Sequence, residues 1–399
     1  MKEQPDSAFS NKKFSRRLLL GGAATAVVVM VQTSFGKVVQ AAELIGAGPS
    51  GYGKPASSEK PERITSLTSS RTPLQDLYGT ITPSGLHFER HHGGVPTIDP
   101  EKYELVIHGM VDQDWVFTLQ DLKRFPSVSR TCFIECSGNF RNGGEDMTPQ
   151  QICGLTSQSE WTGVMLSTLF RAVGIKPKAT WFLAEGGDAA VMTRSIPMSK
   201  GWDDAMIVYA QNGEAIRPEQ GYPVRLLLPG WEGNTSIKWL RRIEVSDAPY
   251  MTREETSKYT ETIAEGKIRQ FSFVMDARSI ITFPAYPIQL EKGWVEIRGI
   301  AWTGRGKIVN VEISVDSGKS WSPAQLQGPI LDKGHTAFRF LWHWQGKETE
   351  IMSRAIDETG YVQPTYEALS KARDSKGGYH FNPITKWFVQ KSGKVLLKG

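Results

Sequence analysis

Arg130-Thr131-Cys132-Phe133-Ile134-Glu135-Cys136-Ser137-Gly138-Asn139-Phe140-Arg141 runs an apolar stretch into a cysteine, a glycine and an arginine. Arg130 to Glu135 reads as a strand, and Gly138 lets the backbone turn tightly or approach a ligand. A thiolate at a strand end, followed by small polar residues and Arg141, has the form of a metal-ligand site open to an anion. A buried structural cysteine is the plainer reading of the same residues. Glu135 disfavours a thiolate beside it unless its side chain points to the opposite face, and strand alternation puts it there. The chain has three cysteines, Cys132, Cys136 and Cys153, so at least one is unpaired. On a strand rising roughly 3.3 Å per residue, Cys132 and Cys136 lie about 13 Å apart, too far for a disulfide between them. Pairing of Cys132 with Cys153 stays open.

Outward from this segment, Tyr103 to Ile107 is another strand, and Thr118 is placed to cap a helix over Thr118 to Arg124. Short strands alternate with helical patches from about Leu86 to Ala248, which predicts a mixed α+β domain over residues 86–250. Residues 43–85, rich in Gly, Pro, Ser and Thr, read as an extended wrapping segment. Residues 251–270 are charged, carry few large apolar side chains and read as a linker. Beyond them the period becomes two. Val309, Val311, Ile313 and Val315 alternate with Asn310, Glu312, Ser314 and Asp316. Phe338, Phe340, Trp342 and Trp344 alternate with Arg339, Leu341 and His343, and Ile351 to Ile356 leads to the turn Asp357-Glu358-Thr359-Gly360. Strands and turns through residues 271–399 predict an immunoglobulin-like sandwich.

The N-terminus carries Ser15-Arg16-Arg17-Leu18-Leu19, an apolar run to Val31, and Ala41-Ala42 before Glu43. That order of basic region, hydrophobic region and small residues resembles the bacterial twin-arginine signal over residues 1–42, with export to the periplasm. The apolar run is shorter than the roughly 18 residues of a spanning helix, so no membrane span is expected after cleavage. The 399 residues hold 47 Lys+Arg against 42 Asp+Glu, a net charge of +5. Most of the excess sits in residues 1–42, and the rest is nearly neutral, which argues against nucleic-acid binding. With 39% hydrophobic and 10% aromatic residues, disorder is excluded.

Two further clusters stand out. Leu86-His87-Phe88-Glu89-Arg90-His91-His92-Gly93-Gly94-Val95-Pro96 offers three histidines for zinc, but no cysteine or acidic partner lies at a zinc spacing. In Gly221-Tyr222-Pro223-Val224-Arg225-Leu226-Leu227-Leu228-Pro229-Gly230-Trp231, followed by Lys238-Trp239-Leu240, Arg225 and Lys238 are placed to bind a phosphate or to serve as surface charges.

Taken in order, these places resemble the sulfite oxidase family of molybdenum enzymes. The resemblance rests on Phe88, Arg90, His92, Val95 and Pro96, on Cys-x-Gly-Asn-x-Arg from Cys136 to Arg141, on Trp161-Thr162-Gly163-Val164, on Gly-Tyr-Pro-Val-Arg, on Lys238-Trp239-Leu240, and on Gly299-x-Ala-Trp-x-Gly. It implies a molybdopterin-binding domain followed by an immunoglobulin-like dimerisation domain, and a pyranopterin-molybdenum cofactor with Cys136 as its protein thiolate. By the same resemblance Arg90 and Arg141 face the oxyanion pocket, His92 and Arg225 hold the cofactor, Lys238 lies near its phosphate or the substrate, and Tyr259 is the active-site tyrosine.

Phe140 stands where many sulfite oxidases carry a further arginine, and Gln220 where a histidine is common. Pro249 to Glu255 and Phe271 to Arg278 resemble the sulfane dehydrogenase subunits of bacterial thiosulfate oxidation, which act on sulfur held by a carrier-protein cysteine. A sulfite dehydrogenase is the nearest alternative, and an exported binding protein with an inert first domain is the non-enzymatic one. No Cys-x-x-Cys-His appears and no further domain is available for haem, so a separate c-type cytochrome is the expected electron acceptor. A homodimer, or a heterotetramer with that cytochrome, is the expected assembly.

Overall fold

A computed structural model describes residues 56–141, 143–373 and 378–398, and before them residues 31–32, 38–39 and 53. The signal expected over residues 1–42 lies outside the described residues, apart from Val31–Gln32 and Val38–Val39, which pair antiparallel. The chain divides into two units, Met1–Lys60 and Pro61–Gly399. No helix of the described residues is long and apolar enough to cross a membrane.

The second unit begins with a segment of short turns that runs along the first domain. Thr72 and Thr82 donate their backbone N–H groups to Gly154 O and Gln158 O. The first domain is α+β. Its strands are β1 (Glu104–Gly109), β2 (Trp115–Thr118), β3 (Val128–Glu135), β4 (Thr156–Met165), β5 (Trp181–Gly186), β6 (Thr193–Pro197), β7 (Met206–Gln211), β8 (Glu214–Ala215), β9 (Arg225–Leu227) and β10 (Leu240–Ser246). One sheet has the order β6-β5-β10-β1-β2 and a second the order β8-β7-β4-β3, with β9 also on β7. Helix α1 (Leu119–Arg124) starts as the sequence predicts: Thr118 Oγ1 accepts from Asp121 N–H while the Asp121 carboxylate accepts from Thr118 N–H. Helices α2 (Pro149–Cys153), α3 (Leu166–Val173) and α4 (Met198–Asp203) follow. The core joins Leu105, Ile107, Leu169, Phe170, Phe182 and Ile243. Each such side chain taken fully from water stabilises the fold by roughly 1.5–3 kcal/mol before entropy is counted.

The second domain is the expected sandwich. Strands β11 (Arg278–Phe283), β12 (Gly293–Trp302) and β14 (Thr336–Trp344) form one sheet, and β13 (Ile308–Ser314), β15 (Thr349–Asp357), β16 (Lys386–Val389) and β17 (Val395–Lys398) the other, each with one short edge strand. Phe338, Trp342 and Trp344 point inward and Arg339, Leu341 and His343 outward, as the alternation predicts. On β13 the alternation slips. A register shift between Ile308 and Asn310 buries Ile308 and leaves Val309 53% exposed, so Val309 is not a core residue. The sandwich core also takes in Phe133, Ile152 and Cys153 of the first domain.

Residues 251–270 do not behave as a loose linker. A π-helical turn, Glu254–Lys258, and a hairpin of Glu261–Ile263 with Lys267–Arg269 pack into the molecule, burying Glu254, Glu255, Tyr259 and Glu261. The charges that suggested solvent are instead neutralised by partners: Glu255 pairs with Arg194, and Glu261 with Arg269 and Arg373. All three cysteines are free. Cys132 and Cys153 are fully buried, which pushes both thiols up to about 12.

Candidate active site

Strand β3 delivers Cys136 to a cavity of about 300 Å³. Pairing with β4 ends at Glu135 and Thr156, and Cys136 N–H then donates to Leu155 O at 3.0 Å. The chain turns at once, with Asn139 N–H donating to Cys136 O at 2.9 Å. The Asn139 side chain fastens this turn: its Nδ2 donates to Glu135 Oε1 at 2.9 Å, and its Oδ1 accepts from Leu155 N–H at 2.8 Å. Glu135 and Cys136 diverge. Glu135 enters the boundary with the second domain, where Trp302 Nε1 donates to its Oε2 at 2.7 Å and Arg278 lies 3.4 Å from Oε1. Cys136 faces the cavity, as strand alternation requires. Burial pushes the Cys136 thiol up, while the Gly138 N–H and Arg90 pull it down. A metal ion bound there would favour the thiolate of such a cysteine.

Arg90, His92, Arg225, Lys238 and Tyr259 line the same cavity. Lys238 is fully engaged: Nζ donates to Arg90 O at 3.2 Å, to Glu219 O at 3.1 Å and to His91 Nδ1 at 2.9 Å. Burial, with Arg225 nearby, pushes its ammonium down to about 7. Arg225 is buried at the start of β9, and its terminal nitrogens donate to Gln220 O and Ser236 O. Gly221 makes this packing possible. It adopts φ +110°, and a Cβ there would stand 3.0 Å from Lys238 Cβ and 3.2 Å from Arg225 Cβ. Tyr259 Oη lies 3.0 Å from His92 Nε2. Burial raises the Tyr259 phenol, and burial with the Arg90 charge lowers the His92 imidazolium. Burial thus favours the protonated phenol and disfavours the charged imidazolium at this contact.

Behind Tyr259, Arg194 is buried and ion-paired with Glu232 and Glu255, each at 3.0 Å, its guanidinium 5.0 Å from the tyrosine ring centroid. Burial alone would push Glu232 up, but Arg194 and His380 hold it down at about 2.

Six of the seven residues singled out in the sequence thus converge. Arg141 does not. Its N–H donates to Ile152 O at 3.0 Å, its side chain is exposed, and it lines a separate opening beside Tyr366. Phe140 packs against Phe381 of the second domain at 5.2 Å, so the chain after Asn139 follows the domain boundary and carries Arg141 away from the cavity. The three histidines do not form a zinc site. His87 Nδ1 faces Phe88 O, His91 lies between Glu89 and Lys238, and His92 holds Tyr259. Among the described residues no group of three or more His, Cys, Asp or Glu is placed to hold a metal. Sequence reasoning missed Asn234, Asp188 and Tyr379, which also line the cavity. None lies in a motif, and Tyr379 comes from the second domain.

Residues 92–254 match the oxidoreductase molybdopterin binding domain, and residues 269–384 the Mo-co oxidoreductase dimerisation domain. Mitochondrial sulfite oxidase of Drosophila melanogaster is 30% identical over 320 residues, covering 71% of this chain and 55% of that protein. NADH nitrate reductase of Ulva prolifera is 28% identical over 352 residues, covering 74% of this chain and 40% of that protein. The chain spans about half the length of these curated relatives, or less. The crystal structure of the sulfane dehydrogenase SoxCD from Paracoccus pantotrophus superposes with a TM-score of 0.85 at 42% identity, covering 90% of this chain and 95% of that one. The chain belongs to the sulfite oxidase family. It is accordingly a molybdopterin-dependent oxidoreductase.

The residues present fit the cofactor of that family. Arg225 Nε, His87 Nε2 and Asn234 Oδ1 belong to cavity-lining residues, are buried, and have no hydrogen-bond partner among the described residues. Such groups are costly unless a ligand satisfies them. With a soft sulfur donor at Cys136 and cations at Arg90 and Arg225, they suit an anionic pterin and its metal. Where the sulfite oxidase family commonly has histidine, Gln220 lines the cavity and donates Nε2–H to Phe88 O at 2.8 Å.

Proposed function

We propose that this protein is a periplasmic oxidoreductase that oxidises reduced sulfur, its substrate a sulfane sulfur on the cysteine of a carrier protein and its acceptor a c-type cytochrome. The observation that carries this reading is the small number of cations available beside Cys136. Lys238 has spent all three of its N–H donors on the protein, the terminal nitrogens of Arg225 are bonded to carbonyls, and Arg141 lies outside. Arg90 remains. A free sulfite dianion calls for several converging cations, whereas a monoanionic persulfide calls for fewer. The likeness to the sulfane dehydrogenase of Paracoccus pantotrophus supports the same choice.

When bound, the cofactor supplies two-electron redox and oxygen-transfer chemistry. For each oxygen added, R–S–S⁻ and water give R–S–SO⁻, two protons and two electrons, and the electrons pass on to the cytochrome. The protein's own residues do the rest. Cys136 would hold the metal, and Arg225, His87 and Asn234 would hold the pterin. Arg90 attracts the anionic end of the substrate, and burial keeps the phenolic proton at Tyr259 Oη. The second domain, of the dimerisation type, would pair two such chains as a homodimer or within a heterotetramer with the cytochrome.

The test is molybdenum content by mass spectrometry on protein exported from a molybdenum-replete host, followed by cytochrome c reduction with a carrier-bound persulfide and with sulfite. About one molybdenum per chain and preference for the persulfide are expected. Cys136→Ser is expected to retain the fold and much of the pterin but to lose turnover. Rapid turnover with free sulfite alone would establish a sulfite dehydrogenase instead.

A further inference from the structure

The second domain reaches the first domain's cavity beside Cys136. His380 N–H donates to Ser137 O at 2.8 Å, and Arg373 donates to Tyr379 O at 3.1 Å, so the segment carrying Tyr379 is pinned to the turn after Cys136. Gly138 lies in the tight turn closed by Asn139 N–H on Cys136 O, as expected, with a φ that is not positive. The Tyr379 ring lies against it: a Cβ on Gly138 would stand 3.7 Å from Tyr379 Cε1, an ordinary van der Waals distance. The Tyr379 ring also meets that of Tyr259, with centroids 5.1 Å apart and planes tilted by 47°. Two tyrosines from different domains therefore form adjoining walls of the cavity that holds Cys136.

The two walls differ in one respect. The Tyr259 hydroxyl is committed to His92, whereas that of Tyr379 has no hydrogen-bond partner among the described residues. Tyr379 is half-buried, so ring and hydroxyl are presented to whatever enters. Sulfur makes favourable contacts with aromatic rings, and a phenol offers one hydrogen bond without a charge. A small dianion gains little from such a wall, because its recognition depends on guanidinium and ammonium groups.

We propose that Tyr379 is a specificity-determining residue, its uncharged wall favouring a singly charged sulfur chain on a thiol over free sulfite. The proposal rests on the sulfane reading above and assigns to the second domain a part in selecting the substrate.

The test uses molybdenum-loaded enzyme with ferricyanide as acceptor, and compares sodium sulfite with glutathione persulfide. Tyr379→Arg adds a cation to the wall. The ratio of kcat/KM for sulfite to that for persulfide is expected to rise roughly tenfold or more, through a lower sulfite KM. Tyr379→Leu keeps bulk but removes hydroxyl and ring face, and is expected to raise the persulfide KM about fivefold with little change in kcat. The Mo(V) electron paramagnetic resonance signal is expected to match wild type in both, which separates selection of substrate from damage to the metal site. If wild type prefers the persulfide and neither variant that loads molybdenum shifts the ratio beyond about twofold, the role of Tyr379 is refuted while the sulfane reading stands. If wild type prefers sulfite, the sulfane reading falls and this proposal falls with it.

Discussion

Arg194→Met removes the guanidinium shared by Glu232 and Glu255 beneath Tyr259. All three side chains are at most 2% exposed, so solvent does not replace the lost partner. Two routes give the size of the effect. Glu232 is held at about 2 against an ordinary 4.5, burial opposing and Arg194 and His380 prevailing. At about 1.36 kcal/mol per pKa unit, that depression corresponds to roughly 3 kcal/mol. Breaking a buried ion pair by removing one partner costs about 3–5 kcal/mol in general. The expected loss at pH 7 is therefore near 3 kcal/mol, with the Glu232 part shared between Arg194 and His380. Because the folded pKa of Glu232 lies below its unfolded one, the stabilisation is present above about pH 4.5 and is lost as pH falls toward 2. The penalty of Arg194→Met should accordingly shrink below pH 4.5, where the stranded Glu232 takes up a proton. Urea unfolding at pH 7 and pH 4 measures both values, and Arg194→Met combined with Glu232→Gln should recover part of the loss. A loss under about 1 kcal/mol at pH 7, or one that grows on acidification, would refute this account of the network.

Three further outcomes are expected. Arg90→Met should raise KM for an anionic sulfur substrate by roughly tenfold or more, while Arg141→Met stays within about threefold of wild type; equal effects would contradict the placement of Arg141 outside the cavity. Since Lys238 titrates at about 7 and an anion favours its protonated form, affinity of the apoprotein for isolated molybdopterin should fall with pH, by up to about tenfold per unit between pH 7 and 9. Isothermal titration calorimetry checks this, and Lys238→Arg should flatten the profile. Trp302→Phe deletes the donor to Glu135 Oε2 and should cost about 1.5–3 kcal/mol in urea unfolding, with a change below about 0.5 kcal/mol counting against the bond.

Local features were legible in the sequence because near neighbours determine them. The capped helix at Thr118, the strand ending at Glu135, the opposed faces of Glu135 and Cys136 and the inward aromatics of β14 all follow from periodicity and capping. The motifs around Arg90, Cys136, Arg225 and Lys238, with Tyr259 placed by resemblance, named most of the residues that meet in the cavity. What the sequence could not decide depends on contacts between distant segments. Residues 251–270 look solvated until Arg194 and Arg373 supply the opposite charges, and Val309 looks buried until a bulge on β13 turns it outward. Arg141 fits the family motif in sequence, yet packing of Phe140 on Phe381 directs the backbone away from the cavity. Tyr379 carries no local signal, because its place beside Gly138 is set by hydrogen bonds from Arg373 and to Ser137. A short-range pattern specifies which residues share a strand face, whereas which faces and which charges meet is settled only when the two domains pack.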